Sequence, residues 1–265
     1  MALDSTLFAG QIPAATYAAG DTIQLGCIRG PEVVRSGYGA AYLKKVFTAT
    51  AAAAAVFKVV VKNSNWVDDM SNIGQGVGET SLSENSTSIQ RGHDCPLTPN
   101  SSWQVLAVCI AGGTETAASM VFALIDVDYP SVSAVKNPRT EQGVPVTTDD
   151  ITTVTATAAT AAPSAIVWTS KSVDILKAGY RYLIDQVGIR DSTGAAIIGF
   201  VEISGAAGQN GLTRIIPCRP GSSAGIKYLI DYATPLVKGP MNIAIALIGG
   251  SGSVNTYLYI DWVKR

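Results

Sequence analysis

"VRSGYGAAYLKKVF" (residues 34–47) returns in altered form as "ILKAGYRYLIDQVG" (residues 175–188). The shared pairs Gly37-Tyr38 and Gly179-Tyr180 open two stretches that read alike. In the second, "YRYLIDQVGIR" is followed by the turn signal "DSTG" and then by "AAIIGFVEISG", a strand, a turn and a strand. The first offers "YGAAYLKKVFT" and then "ATAAAAAVFKVVVK". Alanine has the best helix propensity, so residues 49–55 alone would suit a helix. The flanking β-branched and aromatic residues oppose it, as does the turn at the corresponding place in the second stretch. A hairpin is expected in both halves, and the spacing agrees: Gly37 to Phe57 is 20 residues, Gly179 to Phe200 is 21.

The ends of the halves correspond too. "WQVLAVCIAGGTETAASMVFALIDVDY" (103–129) and "MNIAIALIGGSGSVNTYLYIDWV" (241–263) are each a strand, a Gly-Gly loop (Gly112-Gly113; Gly249-Gly250) and a strand ending in Ile-Asp (Asp126; Asp261). Gly37 to Asp126 spans 89 residues and Gly179 to Asp261 spans 82. Ordered correspondences at nearly constant spacing point to internal duplication.

Strands are expected at 22–28, 32–36, 39–48, 55–62, 87–91, 103–111 and 118–127 in the first half. In the second they are expected at 165–168, 172–176, 179–189, 195–203, 212–218, 226–231, 241–248 and 254–263. Many short strands divided by Gly, Pro, Asn and Ser, with no repeated amphipathic helices, indicate an all-β chain of two tandem antiparallel β-sandwiches. The expected organisation is an N-terminal arm at 1–20, a first sandwich at 21–130 with a polar insertion at 63–102, a linker at 131–163 and a second sandwich at 164–265. Within the linker, "ITTVTATA" has strand propensity and is expected to add to a sheet edge.

In 265 residues, 47% are hydrophobic and only 15% are charged, against roughly 25% in ordinary soluble domains. A surface of small neutral side chains suits contact with neighbouring subunits, because little charge is dehydrated. Residues 1–150 carry nine Lys/Arg and fourteen Asp/Glu, and residues 151–265 carry ten and six, so the halves stand at -5 and +4. Opposite signs favour the first half of one molecule meeting the second half of another. Neither half has the basic density of a nucleic-acid groove, so no sequence-specific nucleic-acid binding is expected. The start has no basic n-region before an apolar run, and no apolar stretch reaches 18 residues.

No catalytic set emerges. The sole histidine, His93, sits in "RGHDCP", where three consecutive residues cannot converge on one centre without an unusual turn. "GQGVG" (74–78) is not a phosphate-cradling fingerprint. The carboxylate pairs Asp68-Asp69, Asp126/Asp128 and Asp149-Asp150 read as solvated turn residues, with loop-bound calcium the alternative. Asp126 and Asp261, each after an aliphatic strand, read as strand-end fixtures accepting backbone N–H bonds. Trp66, Asp68, Asp69 and His93 are candidate interface or exposed-loop residues. Catalytic, cofactor and metal residues are expected to be none. The four cysteines, Cys27, Cys95, Cys109 and Cys218, lack paired spacing, and a buried thiol is the default reading.

The tandem organisation, at about residues 15–265, resembles the double jelly-roll major capsid proteins of tailless icosahedral viruses. The resemblance lies in organisation alone and carries no residue over. It implies two upright jelly rolls per chain, a homotrimer with pseudo-sixfold outline, further assembly with copies of itself and other virion proteins, and a place in the virion after assembly in the host cytoplasm. Contact with an internal membrane is left open. Two alternatives stand beside it: a tandem carbohydrate-binding, adhesive or fibre-forming module with an exposed aromatic strip, and a β-sandwich polysaccharide hydrolase with a carboxylate pair facing across a cleft.

Overall fold

The computed structural model describes residues 3–37, 39–51, 54–64, 76–77, 88–129, 150–173, 182–204, 213–220, 228–236, 241–250 and 252–264. The chain divides into two compact units, one of residues 4–131 with 158–165, the other of 1–3, 132–157 and 166–265.

The N-terminal unit contains β1 (Leu3–Ile12), β2 (Thr16–Tyr17), β3 (Thr22–Arg29), β4 (Ala41–Thr50), β5 (Val56–Asn63), β6 (Gly76–Val77), β7 (Ser88–Leu97), β8 (Trp103–Ala111), β9 (Gly113–Thr114) and β10 (Ser119–Asp128). Eight of these form one sheet in the order β6-β5-β8-β3-β1-β10-β4-β7, while β2 and β9 pair separately. The eight-stranded sheet is a near-closed barrel of jelly-roll-like kind.

Residues 3–12 differ from the expected arm: β1 lies inside the sheet, between β3 and β10. Leu7, Phe8 and Ile12 are at most 2% exposed, but Asp4, Ser5 and Thr6 are equally buried and hide the strand from a hydrophobicity reading. Each has a specific partner. Arg35 Nε meets Asp4 Oδ2 at 2.6 Å, Ser5 Oγ donates to Asp126 Oδ1 at 2.7 Å, and Thr6 Oγ1 donates to the Pro31 carbonyl at 2.7 Å. Burying polar groups is tolerable when they are paired in this way. β10 is buried at every position, as an interior strand covered on both faces must be.

The expected hairpin of β4 and β5 is not formed. β4 pairs antiparallel with β10 and β7, whereas β5 pairs with β8 and β6. The chain instead turns a corner after Thr50 and joins a different run of strands. Ala51 and Ala55 are buried, so the small side chains let the corner close on the core. β4 extends through Ala49 and Thr50, so the residues that would have begun a helix are extended. β6 and β7 lie within 63–102, expected as an insertion; the strand expected at 87–91 is the start of β7, which runs on through the polar "GHDCPL" to Leu97. Residues 32–36 contribute only an isolated bridge, Val33 to Ser102.

The C-terminal unit contains β11 (Asp150–Ala156), β12 (Thr169–Val173), β13 (Tyr182–Asp191), β14 (Ile198–Ser204), β15 (Arg214–Cys218), β16 (Tyr228–Leu236), β17 (Met241–Ile248) and β18 (Gly252–Lys264). They form two four-stranded sheets, β11-β18-β13-β16 and β12-β17-β14-β15. "ITTVTATA" supplies β11, paired along β18 at the sheet edge. The strand expected at 165–168 does not form: residues 163–165 make a short 3-10 turn and the next strand, β12, begins only at Thr169. The expected hairpin of β13 with β14 is again absent: β13 pairs with β16 and β18, and β14 with β15 and β17. Adjacent sequence segments suggest a hairpin by default, but here β13 finds both its partners, β16 and β18, far along the chain, and β14 pairs with β15 and β17 instead of β13.

Candidate functional site

The most elaborately built places are the corners after β4 and β13. In the N-terminal unit, Glu115 is buried and its Oε1 accepts the backbone amides of both Ala54 and Ala55 at 2.5 Å. Glu115 itself donates its backbone amide to the Ala15 carbonyl at 2.8 Å, and Thr16 and Tyr17 pair with Thr114 and Gly113. Gly20 donates to the Cys109 carbonyl, and the Cys109 amide donates to the Asp21 carbonyl, both at 2.8 Å. Residues 15–21, 54–55 and 109–115 are therefore tied into one end. Tyr17 packs edge-on against Phe57, with ring centroids 5.3 Å apart. Burial pushes the Tyr17 phenol above its ordinary pKa, and the charges of Glu115 and Asp21 push it further.

The Gly-Gly loops abut these corners. A Cβ on Gly112 would lie 2.6 Å from the Tyr17 carbonyl oxygen, and one on Gly113 would lie 3.3 Å from Ala55 Cα. In the C-terminal unit Gly249 has φ +110°, and a Cβ there would come within 2.5 Å of Ile197 Cγ1 and 2.8 Å of its backbone nitrogen. A Cβ on Gly250 would stand 3.4 Å from Ala156 Cβ, an ordinary contact. Glycine is thus required where the loop backbone presses on the corner.

The C-terminal corner has its own carboxylate. Asp191 Oδ1 accepts the Thr193 amide (2.8 Å) and hydroxyl (2.7 Å), and Oδ2 accepts the Ala196 amide (2.7 Å). Burial pushes this carboxyl up, but the bonds from Ala196, Thr193 and Gly194 outweigh it and hold it below the usual aspartate range.

Asp126 and Asp261 lie within β10 and β18 rather than at strand ends. Asp126 opposes Lys45 and Asp261 opposes Gln186, and in each pair of strands the register slips by one at the next step, between Asp126/Val127 and between Ile184/Gln186. A bulge therefore follows each aspartate. Asp126 Oδ1 accepts the Ser5 hydroxyl at 2.7 Å. Gly37 sits in the turn before β4 with φ +91°. Tyr38, Trp66, Asp68, Asp69, Gly179 and Tyr180 lie outside the described residues, as does Asp149; His93 and Asp261 are placed only as strand positions, in β7 and β18.

Sequence reasoning missed Glu115, Asp191 and Asp4. "GGTE" and "DSTG" read as ordinary turns, and only the fold shows which backbone amides their carboxylates reach. Among the described residues no group of three or more His, Cys, Asp or Glu comes together to hold a metal ion. Cys27, Cys109 and Cys218 are free thiols. Trp168 is half-buried with its ring 6.5 Å from Phe200, and Tyr129 is buried, its hydroxyl accepting the Arg35 amide at 2.9 Å. The exposed large hydrophobics among the described residues, Val33, Ile110 and Val167, are aliphatic. What these arrangements do chemically is hold backbone in place.

No family model matches the chain, and no curated protein matches it. Among solved structures it is similar to that of infectious bursal disease virus, Gt strain, at 12% identity and a TM-score of 0.27, covering 98% of this chain and 68% of that one. Broad bean stain virus gives 12% identity and 0.26, covering 98% and 90%. The insecticidal delta-endotoxin Cry8Ea1 of Bacillus thuringiensis gives 8% and 0.22, covering 98% and 53%. TM-scores this far below one half correspond to no common arrangement of the whole chain, and no residue role passes from those structures to this one.

Proposed function

We propose that the chain is a structural protein of a virus shell, built from two tandem jelly-roll sandwiches related by duplication, and that three copies assemble into a trimer with pseudo-hexameric outline. The observation that carries this reading is the strand order. Read as β1-β10-β4-β7 and β3-β8-β5-β6, the two runs of the N-terminal sheet match β11-β18-β13-β16 and β12-β17-β14-β15 strand for strand. Eight strands in two four-stranded runs of this kind make a jelly roll, an architecture of viral capsid, lectin and cupin domains. The bulges beside Asp126 and Asp261 and the Gly-Gly loops recur at matching places and support the same reading.

The low charge favours the shell over the other jelly-roll uses. A shell subunit hides most of its flanks against copies of itself, and small neutral side chains lower the cost of hiding them. Two similar but non-identical units per chain give a trimer six blocks with true threefold symmetry only. In this role the chain performs no catalytic step; its partners are its own copies and other virion proteins, and its place is the virion. Light scattering and negative-stain imaging of the purified full chain test it. Trimers or closed shells are expected, and a monomer at every concentration overturns it.

A further inference from the structure

We infer that the connection 13–20 of one molecule docks on the C-terminal unit of a second copy, with Thr16 against the second copy's Thr155. The inference rests on the tandem-repeat assembly reading and extends it to a named contact. β1 and β11 hold the same place in their strand orders, and both end on a buried residue, Ile12 and Ala156, after a more exposed one, Gln11 and Thr155. Aligned on those ends, Thr16 corresponds to Thr160, and "PAATYAAG" (13–20) to the start of the connection that contains "AATAAPSA" (158–165).

The second connection shows where such a segment goes. β11 before it and β12 after it belong to the C-terminal unit, yet residues 158–165 are part of the N-terminal one. There Gln11 Nε2 donates to the Thr160 carbonyl at 3.0 Å. Half of the residues 158–165 are partly covered, whereas all of 13–20 except Tyr17 are exposed. By the repeat, the counterpart of Gln11 is Thr155, an exposed hydroxyl able to donate as the amide does.

The segment is built for contact. It carries no charge to dehydrate, and its backbone is already fixed by the pairing of β2 with β9 and by the bonds to Glu115 and Cys109, so docking orders little new chain. A head-to-tail contact of this kind closes into a ring when its rotation allows, as a trimer requires.

Full-length Thr16→Cys and Thr155→Cys variants, mixed and mildly oxidised, should give a disulfide-linked dimer absent from either variant alone and from the unsubstituted protein. In sedimentation, A14K/A19K should weaken self-association by roughly a hundredfold or more through buried ammonium groups, with an unchanged melting temperature at dilutions where both proteins are monomeric, while Ala40→Lys should leave self-association as it was. If the unsubstituted protein does not self-associate, the assembly reading falls and this contact with it. If it associates but the mixture does not cross-link, or A14K/A19K associates normally, this contact alone is wrong.

Discussion

Replacing Glu115 by alanine removes the acceptor for two amides at once. The Ala55 amide is buried, and leaving it without a partner costs about 2 kcal/mol; the Ala54 amide is partly exposed, so water recovers most of its loss and about 0.5 kcal/mol remains. Glu115→Ala should therefore destabilise the N-terminal unit by about 2–3 kcal/mol. At roughly 3–5 °C per kcal/mol for a unit of this size, its melting temperature should fall by about 10 °C. Glu115→Gln keeps a neutral acceptor and should cost about 1 kcal/mol. Calorimetry gives the shift, and hydrogen exchange at Ala54 and Ala55 locates it. Removing the carboxylate should also lower the phenol pKa of Tyr17, because a negative charge beside the phenolate disappears, and ultraviolet titration reads this. A fall of under about 2 °C in Glu115→Ala, with both amides still protected, would refute the clamp.

Asp191 makes the acid response of the C-terminal unit predictable. Its folded pKa lies below the unfolded value of 3.8, so its contribution is complete above that value and is lost as pH falls through the folded pKa. Asp191→Asn should lower stability at pH 7 by about 1–3 kcal/mol and flatten the loss of stability below about pH 4, measured by denaturant unfolding across pH. Gly249→Ala should destabilise by about 2–4 kcal/mol, because its φ of +110° and the Ile197 backbone both exclude a Cβ, whereas Gly250→Ala should stay within about 1 kcal/mol; paired melting curves separate them. Burial pushes the thiols of Cys218 and Cys109 up, so neither should be alkylated at pH 8 until the chain unfolds, while half-buried Cys27 should react slowly; mass spectrometry after timed labelling checks the order.

Much of the β-structure is legible because apolar alternation and turn residues are local signals. β8, β14 and β17 stand close to where "WQVLAVCIA", "GFVEIS" and "MNIAIALI" predict them. β1 is missed, and β7 is expected only over 87–91, because their polar residues break the pattern, and in β1 those residues are buried against partners distant in sequence: Asp4 with Arg35, Ser5 with Asp126. The two expected hairpins fail for a related reason. Periodicity says that a segment is extended but not which strand it lies beside, and at both corners the neighbour in sequence is not the neighbour in the sheet.

Composition and the recurrence of Gly-Tyr, Gly-Gly and Ile-Asp are enough by themselves to establish a β-rich chain of low charge whose halves echo each other. They do so because strand propensity and apolar pattern act over a few residues, and repeats keep their spacing. Only the tertiary structure decides the pairing order, the entry of residues 3–12 into the sheet and the reach of Glu115 to Ala54 and Ala55. Those depend on which distant groups close the barrel and satisfy one another's hydrogen bonds, and such partners can lie 60 or 121 residues apart, as Glu115 and Asp126 show.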